Sequence, residues 1–441
     1  MLLQFSVKNF RTFKDKATLS LVASNYDKAT RESENIYHDN KFNLRILKSA
    51  VVYGANASGK SKLFEALMFM ERFVITSSKE SKKGDKIDVE PYKLNSESEH
   101  SPTEFEVIFI FKNVMYRYGF EADRKMVISE WLYYRPNTKE IELFYREGNN
   151  FEIHQKKFSK ANTLVKEGLV RDNALLISVS AQFNDDTSIS VLNWFENLKT
   201  ISGLHEEGYQ GFTMSQTEDR PYKAKILSLL KVADLGIQDI KLQKLDIDKL
   251  SKNVPKELVD KINKEVNEEK AEFFSDIITT HKKYDINKKV IDSVYFSLDD
   301  DESSGTRKIF ALTGPIIDVI ENGYILVVDE LDAKLHPNLV CKLVSLFNSK
   351  DLNKKNAQLI FNTHDTNLLS SGLFRRDQIW FTDKNQFGEA KLYSLADFKS
   401  DEVRKTESFE ENYINGKYGA IPFLGFFDNL NTILPAYENE G

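Results

Sequence analysis

A glycine-rich segment carries the residue types that bind phosphate. The run Gly-Ala-Asn-Ala-Ser-Gly-Lys-Ser from Gly54 to Ser61 matches the spacing G-x-x-x-x-G-K-S/T. In such a loop backbone N–H groups wrap the phosphates, the lysine reaches the β and γ phosphates, and the last serine ligates Mg²⁺. The segment therefore predicts a nucleoside triphosphate and Mg²⁺ site with these contact residues: Gly54, Asn56, Ser58, Gly59, Lys60 and Ser61.

The flanking elements are those that must position such a loop. Residues 49–53 are nearly all apolar, which is typical of a buried parallel strand. From Lys62 to Phe73 the apolar residues recur at intervals of three and four, which predicts a helix. Strand, glycine loop and helix are thus contiguous, and a purely structural glycine turn is the weaker interpretation.

Two further strand ends carry candidate catalytic groups. An apolar run, residues 324–328, leads into Asp329 and Glu330, which are suited to holding Mg²⁺ through water and to polarising an attacking water. After the apolar run 358–361 comes His364, a candidate γ-phosphate sensor. In isolation each group has a plainer explanation, since buried strands often end in an acid and a histidine can simply cap a sheet. Their order after the phosphate loop favours the functional interpretation.

Small residues precede a predicted helix from Arg307 to Asn322. In the run Glu302-Ser303-Ser304-Gly305-Thr306 the small side chains of Ser304 and Gly305 let the backbone approach a phosphate. The acidic loop before it, residues 299–302, is interpreted as solvated rather than metal-binding.

The remaining chain predicts a head interrupted by an insertion. Residues 3–10 alternate as a half-buried strand with a hairpin partner at 17–22, and residues 103–153 resemble an antiparallel meander. Residues 155–290 are rich in lysine and glutamate at helical spacing, notably Val254 to Phe274, and predict a helical arm. The predicted domains are residues 1–154 and 291–441, which form the head, and residues 155–290, which form the arm.

The composition and net charge restrict the classes of function that the protein can have. The net charge is −6 despite 61 basic residues, so the chain as a whole does not attract nucleic acid, although a local basic patch can. No apolar run approaches the ~20 residues of a membrane helix, and Met1-Leu2-Leu3-Gln4 does not begin a signal peptide. We expect a cytoplasmic protein without a membrane partner. The single cysteine, Cys341, is expected to be buried in a helix.

The ordered motifs resemble those of the soluble ABC-type ATPases related to RecF, SMC and OLD proteins. The resemblance implies an α/β fold: a P-loop head with a mixed sheet and an antiparallel β subdomain, plus the inserted arm. Within that group, residues 9–13, 329–337 and 413–420 are similar to the AAA-type ATPase subunits of bacterial phage-defence systems of the RloA, AbiL and PARIS kinds.

The resemblance also implies roles for the candidate residues. Lys60 and Ser61 bind ATP and Mg²⁺, and Asp329 holds the metal. Glu330 is the catalytic base and His364 senses the γ-phosphate. Ser304 with Gly305 completes the site of a second subunit, which implies an ATP-dependent homodimer or higher oligomer. Arg11 corresponds to a residue that touches nucleotide in some relatives, with a surface arginine as the alternative.

Two departures from the family pattern stand out. His336 occupies the place where transporter-type members have an aspartate, and no glutamine-bearing Q-loop can be placed. The segment after His364 leaves little room for a nuclease domain. Its aromatic run at residues 421–427 is interpreted as core, with a partner-docking patch as the alternative.

The predicted function is an ATPase that senses a phage trigger and regulates a separate effector protein, such as a nuclease, in abortive infection. The alternative is a RecF-like ATPase clamp on DNA. A transporter motor lacks support because the D-loop is not of the transporter kind. A GTPase is disfavoured because no N-K-x-D motif occurs.

Overall fold

A computed structural model describes residues 1–80, 82–233, 235–244, 274–399 and 407–422 of the protein. The chain divides into two compact units, residues 1–197 with 362–441, and residues 198–361. The helix predicted for residues 254–274 falls, apart from residue 274, outside the described residues. Most of the aromatic run at 421–427 also lies outside them.

The strands of the described residues follow in chain order: β1 Leu2–Lys8, β2 Ala17–Ser20, β3 Ile36–Asp39, β4 Leu44–Leu47, β5 Ser49–Gly54, β6 Thr103–Phe111, β7 Val114–Ala122, β8 Val127–Arg135, β9 Ile141–Glu147, β10 Asn150–Ile153, β11 Leu198–Ser202, β12 Asp239–Lys244, β13 Phe274–Tyr284, β14 Val290–Ser297, β15 Ile325–Asp329, β16 Gln358–Asn362, β17 Ile379–Lys384 and β18 Ala390–Ser394.

The helices are α1 Glu32–Asn35, α2 Lys60–Thr76, α3 Ser159–Lys166, α4 Leu176–Gln182, α5 Asp186–Glu196, α6 Glu207–Gln216, α7 Arg220–Val232, α8 Ser304–Asn322, α9 Pro337–Asn348, α10 Asn367–Ser370 and α11 Phe409–Ile414. Within the described ranges, no helix combines the length and the apolar character needed to cross a bilayer. Cys341 lies in α9 but is only half-buried, so the expectation of full burial is wrong.

An antiparallel sheet in the first unit runs in the order β10-β9-β8-β7-β6-β1-β2. It confirms the predicted hairpin of β1 and β2 and the predicted meander from β6 to β10. Alternating burial in β6 places Phe105, Val107 and Phe109 in the core. The period-two pattern of the sequence therefore corresponds to one buried face of the sheet.

Aromatic packing attaches helix α2 to this sheet. The rings of Phe69 and Phe105 are stacked with centroids 5.1 Å apart, and those of Phe73 and Phe120 lie 5.4 Å apart. Such pairs contribute about 0.5–1.5 kcal/mol each beyond their burial. Because α2 begins at Lys60, the packing fixes the helix end that carries the phosphate-loop lysine.

Strand β5 is buried at every residue and pairs in parallel with β17, which pairs antiparallel with β18. A strand with both faces covered has little use for polar side chains, which explains its continuous apolar sequence. The predicted strand, loop and helix around the phosphate loop are confirmed.

The second unit contains a parallel set in which β11 and β16 each pair with β15. It also contains an antiparallel sheet in the order β12-β13-β14. Strands β11, β12 and β13 lie inside residues 155–290, where we predicted a helical arm. The helices α3 to α7 occur there as well, so the helical prediction for this segment is wrong in part.

The physical reason for the error lies in the strands themselves. β11, Leu-Lys-Thr-Ile-Ser, is short and half polar, and its strand conformation depends on pairing with the buried β15. Such tertiary pairing overrides local composition.

A buried ion pair joins the meander to the start of α4. The carboxylate of Glu130 lies 3.7 Å from the guanidinium of Arg146, and both side chains are fully buried. Glu130 also accepts hydrogen bonds from the backbone N–H groups of Leu176 and Ile177 at 2.7 and 3.1 Å. Burial raises the pKa of Glu130 above its ordinary value, while the Arg146 charge opposes that rise.

Replacing Arg146 with methionine should therefore lower the free energy of unfolding by about 3–5 kcal/mol, because a buried carboxylate loses its counter-charge. The matched control is Arg117→Met in β7, whose half-exposed guanidinium pairs with Glu140 at 2.7 Å. That change should cost only about 1 kcal/mol. Urea unfolding of both variants measures the difference, and equal losses would contradict the role of the buried pair.

Candidate nucleotide-binding site

The phosphate loop connects β5 to α2 and depends on two glycines with positive φ. Gly54 has φ 155° and Gly59 has φ 116°, a region that favours glycine. A Cβ on Gly54 would lie 2.4 Å from the Thr382 carbonyl oxygen and 2.5 Å from Ser58 Oγ. No side chain fits there, so the sequence pattern has a steric cause.

The polar side chains of the loop take different positions. The Lys60 ammonium donates to the carbonyl oxygens of Gly54 and Ala55 at 2.8 and 3.1 Å. Ser58 is buried, and its hydroxyl bonds to that of Thr382 at 2.7 Å. Asn56 is exposed and Ser61 is half-buried in the first turn of α2. The lysine thus stays at the loop, and the helix start presents N–H groups and a positive dipole end to an anion.

Thr12 lies against the same loop, and the sequence motifs did not identify it as a site residue. A Cβ on Gly59 would lie 3.1 Å from Thr12 Oγ1. That hydroxyl is buried and has no hydrogen-bond partner in the described part of the chain. A buried hydroxyl beside a phosphate loop suits a ligand oxygen. Its neighbour Arg11 instead pairs with Glu65 of α2 and lies 3.6 Å from Glu90.

His364 is held close to β5 through its neighbours. The Thr363 N–H donates to the Val52 carbonyl at 3.3 Å, and the Tyr53 hydroxyl donates to the Asp365 carbonyl at 3.2 Å. His364 itself is exposed. In the first unit, Lys60 and His364 therefore lie on two segments that both adjoin the carboxyl end of β5.

In the second unit, Asp329 ends β15 and Glu330 follows in a left-handed conformation with φ 57°. The Gly203 N–H donates to the Asp329 carbonyl at 2.6 Å. A Cβ on Gly203 would lie 1.9 Å from the Glu330 carbonyl oxygen. A non-glycine residue at positive φ is strained, and such strain concentrates at functional sites. Gly203 is thus a positioning residue that the sequence alone did not indicate.

Lys308 is a third residue that the sequence analysis did not identify. It lies on α8 and is fully buried, with its ammonium 3.2 Å from the Glu330 carbonyl oxygen. Burial lowers the pKa of Lys308 to about 8, although Asp332 and Glu206 favour the charged form. A charge inside the apolar run of α8 was the available sequence signal. The residue links the helix of the Ser304-Gly305 motif to the turn after β15.

The Ser304-Gly305 motif forms the start of α8, a helix of 19 residues. Ser303 caps it by accepting from the Thr306 N–H at 3.1 Å, and Ser304 is exposed. A Cβ on Gly305 would lie 3.0 Å from the Lys334 carbonyl oxygen, so a larger residue there would need the backbone to shift. The absence of a side chain at Gly305 thus allows a close approach to Lys334, while the predicted approach of this backbone to a phosphate stays a prediction.

His336 has a structural explanation. It is the N-cap of α9, and its Nδ1 accepts from the Asn338 N–H at 3.2 Å. The departure from the transporter D-loop thus coincides with a helix cap.

The predicted residues are distributed over both units. Lys60, Ser61, His364 and Arg11 lie in the first, and Asp329, Glu330, Ser304 and Gly305 lie in the second. In the first unit, the glycine-rich loop and the buried Thr12 hydroxyl suit a nucleotide phosphate, and Ser61 offers a hard oxygen donor of the kind Mg²⁺ prefers. In the second unit, Asp329 is a donor of the same kind. The residue types present in each unit therefore fit ATP with Mg²⁺.

Comparison with known proteins decides the family. Residues 49–370 match the model of the family described as "AAA domain, putative AbiEii toxin, Type IV TA system". The chain belongs to this family. It is an AAA-type P-loop ATPase. The finer assignment to the RloA, AbiL and PARIS group stays a prediction.

Solved structures similar to this ATPase include SMC heads. The SMC head domain from Thermotoga maritima has 10% identity and a TM-score of 0.40, covering 89% of this chain and 98% of that one. An SMC head bound to the C-winged helix domain of ScpA has 13% identity and a TM-score of 0.42, covering 89% and 97%. A Pyrococcus furiosus SMC head with an extended coiled coil has 14% identity and a TM-score of 0.31, covering 89% and 96%. No curated protein gives a significant match.

The steric role of Gly203 leads to a stability prediction. In the ATPase, Gly203→Ala should lower the free energy of unfolding by about 1–3 kcal/mol, because the added methyl group collides with the Glu330 carbonyl. The control is Gly208→Ala in α6, where a Cβ meets nothing within 4 Å. There alanine should stabilise by up to about 1 kcal/mol through helix propensity. Chemical denaturation compares the two, and equal effects would contradict the close approach.

The buried Lys308 predicts a pH dependence. Between pH 8 and the ordinary lysine value of 10.5, the unfolded chain holds a proton at Lys308 that the folded chain lacks. The free energy of unfolding of the wild type should therefore rise relative to Lys308→Met by about 1.4 kcal/mol per pH unit in that window. Below pH 8 the difference should be constant. Urea unfolding of both proteins across the window tests this, and a flat difference would refute it.

Proposed function

We propose that this ATPase binds and hydrolyses ATP with Mg²⁺ in the cytoplasm, dimerises on ATP, and regulates a separate effector protein in anti-phage defence. The observation that carries the hydrolytic part is the strained turn at Glu330. It follows the strand that ends in Asp329, and both Gly203 and Lys308 act on its backbone. A strained backbone conformation that two other residues stabilise is expected where a side chain must be held in one orientation.

The roles follow from the chemistry of each group. The phosphate loop with Lys60 binds the phosphates, and Ser61 and Asp329 hold the metal. Glu330 accepts a proton from the attacking water, and His364 contacts the γ-phosphate. When bound, Mg²⁺ neutralises phosphate charge. Thr12 is added as a candidate phosphate contact.

Exposure of the Ser304-Gly305 end of α8 supports dimerisation on ATP. Ser304 is open to solvent at the start of a long helix, whose N–H groups favour an anion. In the proposed dimer this end meets the phosphates of nucleotide bound to the second subunit. Each subunit then completes the site of the other, so dimerisation depends on ATP.

The defence role is supported by the family and by sequence resemblance. The family description names a type IV TA system, and residues 9–13, 329–337 and 413–420 resemble phage-defence ATPase subunits. An ATPase whose dimer state follows ATP is suited to holding or releasing an effector protein such as a nuclease.

Replacing Glu330 with glutamine should lower kcat for ATP hydrolysis by about 10²–10⁴-fold, because the group that accepts the water proton is lost. ATP binding should persist, since the phosphate loop is unchanged. The variant should therefore accumulate as an ATP-bound dimer in native mass spectrometry with ATP and Mg²⁺ present. Phosphate release and native mass are the two measurements.

The control is Lys60→Ala, which should lose both nucleotide binding and the dimer. Hydrolysis by Glu330→Gln at the native rate would refute the assignment of Glu330. If the protein is purified from its own host, a second protein at fixed stoichiometry supports the effector proposal. A dimer that carries only DNA would replace it with the clamp alternative.

A further inference from the structure

Strand β14 forms one edge of the β12-β13-β14 sheet. Among the described residues its only strand partner is β13. The other side of β14 therefore presents backbone N–H and C=O groups that can pair with another extended chain. Proteins normally protect such an edge with charged residues, proline or a covering segment.

Strand β14 itself carries one charged residue, Asp292, and no proline. The hairpin of β13 and β14 exposes six large apolar or aromatic side chains: Tyr284 at 55%, Ile286 at 97%, Val290 at 55%, Ile291 at 59%, Tyr295 at 58% and Phe296 at 37%. A cluster of this kind on one hairpin is unusual for a surface that faces only water.

The hairpin is also basic. The excess of basic residues lies at its turn end, where lysines occupy positions 282, 283, 288 and 289, against aspartates at 285 and 292. The third aspartate of the hairpin, Asp276, lies at the opposite end of β13. Asp285 accepts hydrogen bonds from the Asn287 and Lys289 N–H groups at 2.9 and 2.8 Å, and so serves the turn. The Lys241 ammonium of β12 lies 5.3 Å from the Tyr295 ring centroid. The surface therefore favours an acidic partner.

We propose that the β13–β14 hairpin is the docking site for an extended, acidic and apolar segment of a partner protein, which adds to β14 as a further strand. Backbone pairing gives affinity in this mode, and side chains on alternating positions give specificity. Identifying this partner with the effector rests on the proposed function, whereas the docking itself does not.

The aliphatic content favours protein over nucleic acid. Single-stranded nucleic acid is bound by aromatic rings that stack on bases, together with basic side chains. Ile286, Val290 and Ile291 have no ring to stack, and they flank the start of an open backbone edge. An added strand buries them and pairs that edge at once.

The same sheet contacts Glu302, two residues before Ser304. Phe296 of β14 packs on the His281 ring with centroids 5.0 Å apart. His281 Nε2 lies 2.7 Å from Glu302 Oε1, which also accepts from the Thr279 hydroxyl at 2.7 Å. Glu302 immediately precedes the Ser303 cap of α8. A strand added to β14 thus lies beside residues that contact Glu302, just before α8.

The experiment uses the full chain and fluorescent synthetic peptides in which valine and threonine alternate with glutamate. A second peptide replaces glutamate with lysine, and a third has proline at its centre. Fluorescence anisotropy should show the acidic peptide binding about tenfold more tightly than the lysine peptide. The proline peptide should bind weakly because it cannot donate to the edge.

The test variant is Ile291→Ser with Tyr295→Ser, which removes apolar contacts without changing the charge and should weaken the acidic peptide by about tenfold or more. The matched control is Leu352→Ser with Val232→Ser, at positions 59% and 66% exposed in the same unit, and should bind as the wild type. Both double variants should keep the wild-type melting temperature and ATP turnover.

Equal binding of the acidic and lysine peptides, or an unaffected test variant, would overturn the proposal. Salt-dependent binding of a single-stranded oligonucleotide in preference to the peptides would assign the surface to nucleic acid. A change in oligomeric state confined to the test variant would assign it to a second copy of the chain. Because peptide binding needs no nucleotide, its failure is distinguishable from a failure of the ATPase proposal.

Discussion

In the second unit, the buried ammonium of Lys308 links two of the candidate motifs. The Lys308 ammonium of α8 lies 3.2 Å from the Glu330 carbonyl oxygen, and burial lowers the pKa of Lys308 to about 8. An ionisable group is costly in a buried place unless it has partners, so the carbonyl and nearby carboxylates make the arrangement tolerable. The contact joins the two motifs that the proposed reaction requires on this unit.

Glycines near the Lys308–Glu330 contact and in the phosphate loop allow neighbouring groups to approach the backbone closely. Gly203 lets its backbone meet Glu330, and Gly305 lets the helix start meet Lys334. In the first unit Gly54 leaves space beside Thr382 and Ser58. Because glycine has no side chain, the groups that face each of these positions approach more closely than a larger residue would allow. Aromatic packing of α2 on the meander then holds the loop in place.

The second unit also shows why an apolar surface and a functional motif can be connected. The sheet that exposes Tyr295 and Ile291 contacts Glu302 through its middle strand, just before α8. Thr279 and His281 of the middle strand both contact the Glu302 carboxylate, and Phe296 of the edge strand β14 packs on His281. This connection is made entirely by residues within one unit.

Sequence pattern alone determined the strand, glycine loop and helix of the phosphate site, the β1–β2 hairpin and the meander. These elements depend on local hydrophobic periodicity and on residue types, such as the glycines of the phosphate loop, whose chemistry suits one role. It did not determine the strands β11 to β13, because β11 is a strand only through pairing with buried β15. Thr12, Gly203 and Lys308 became visible only in the tertiary structure. Their significance is a contact with residues distant in sequence, and neither periodicity nor composition encodes such a distance.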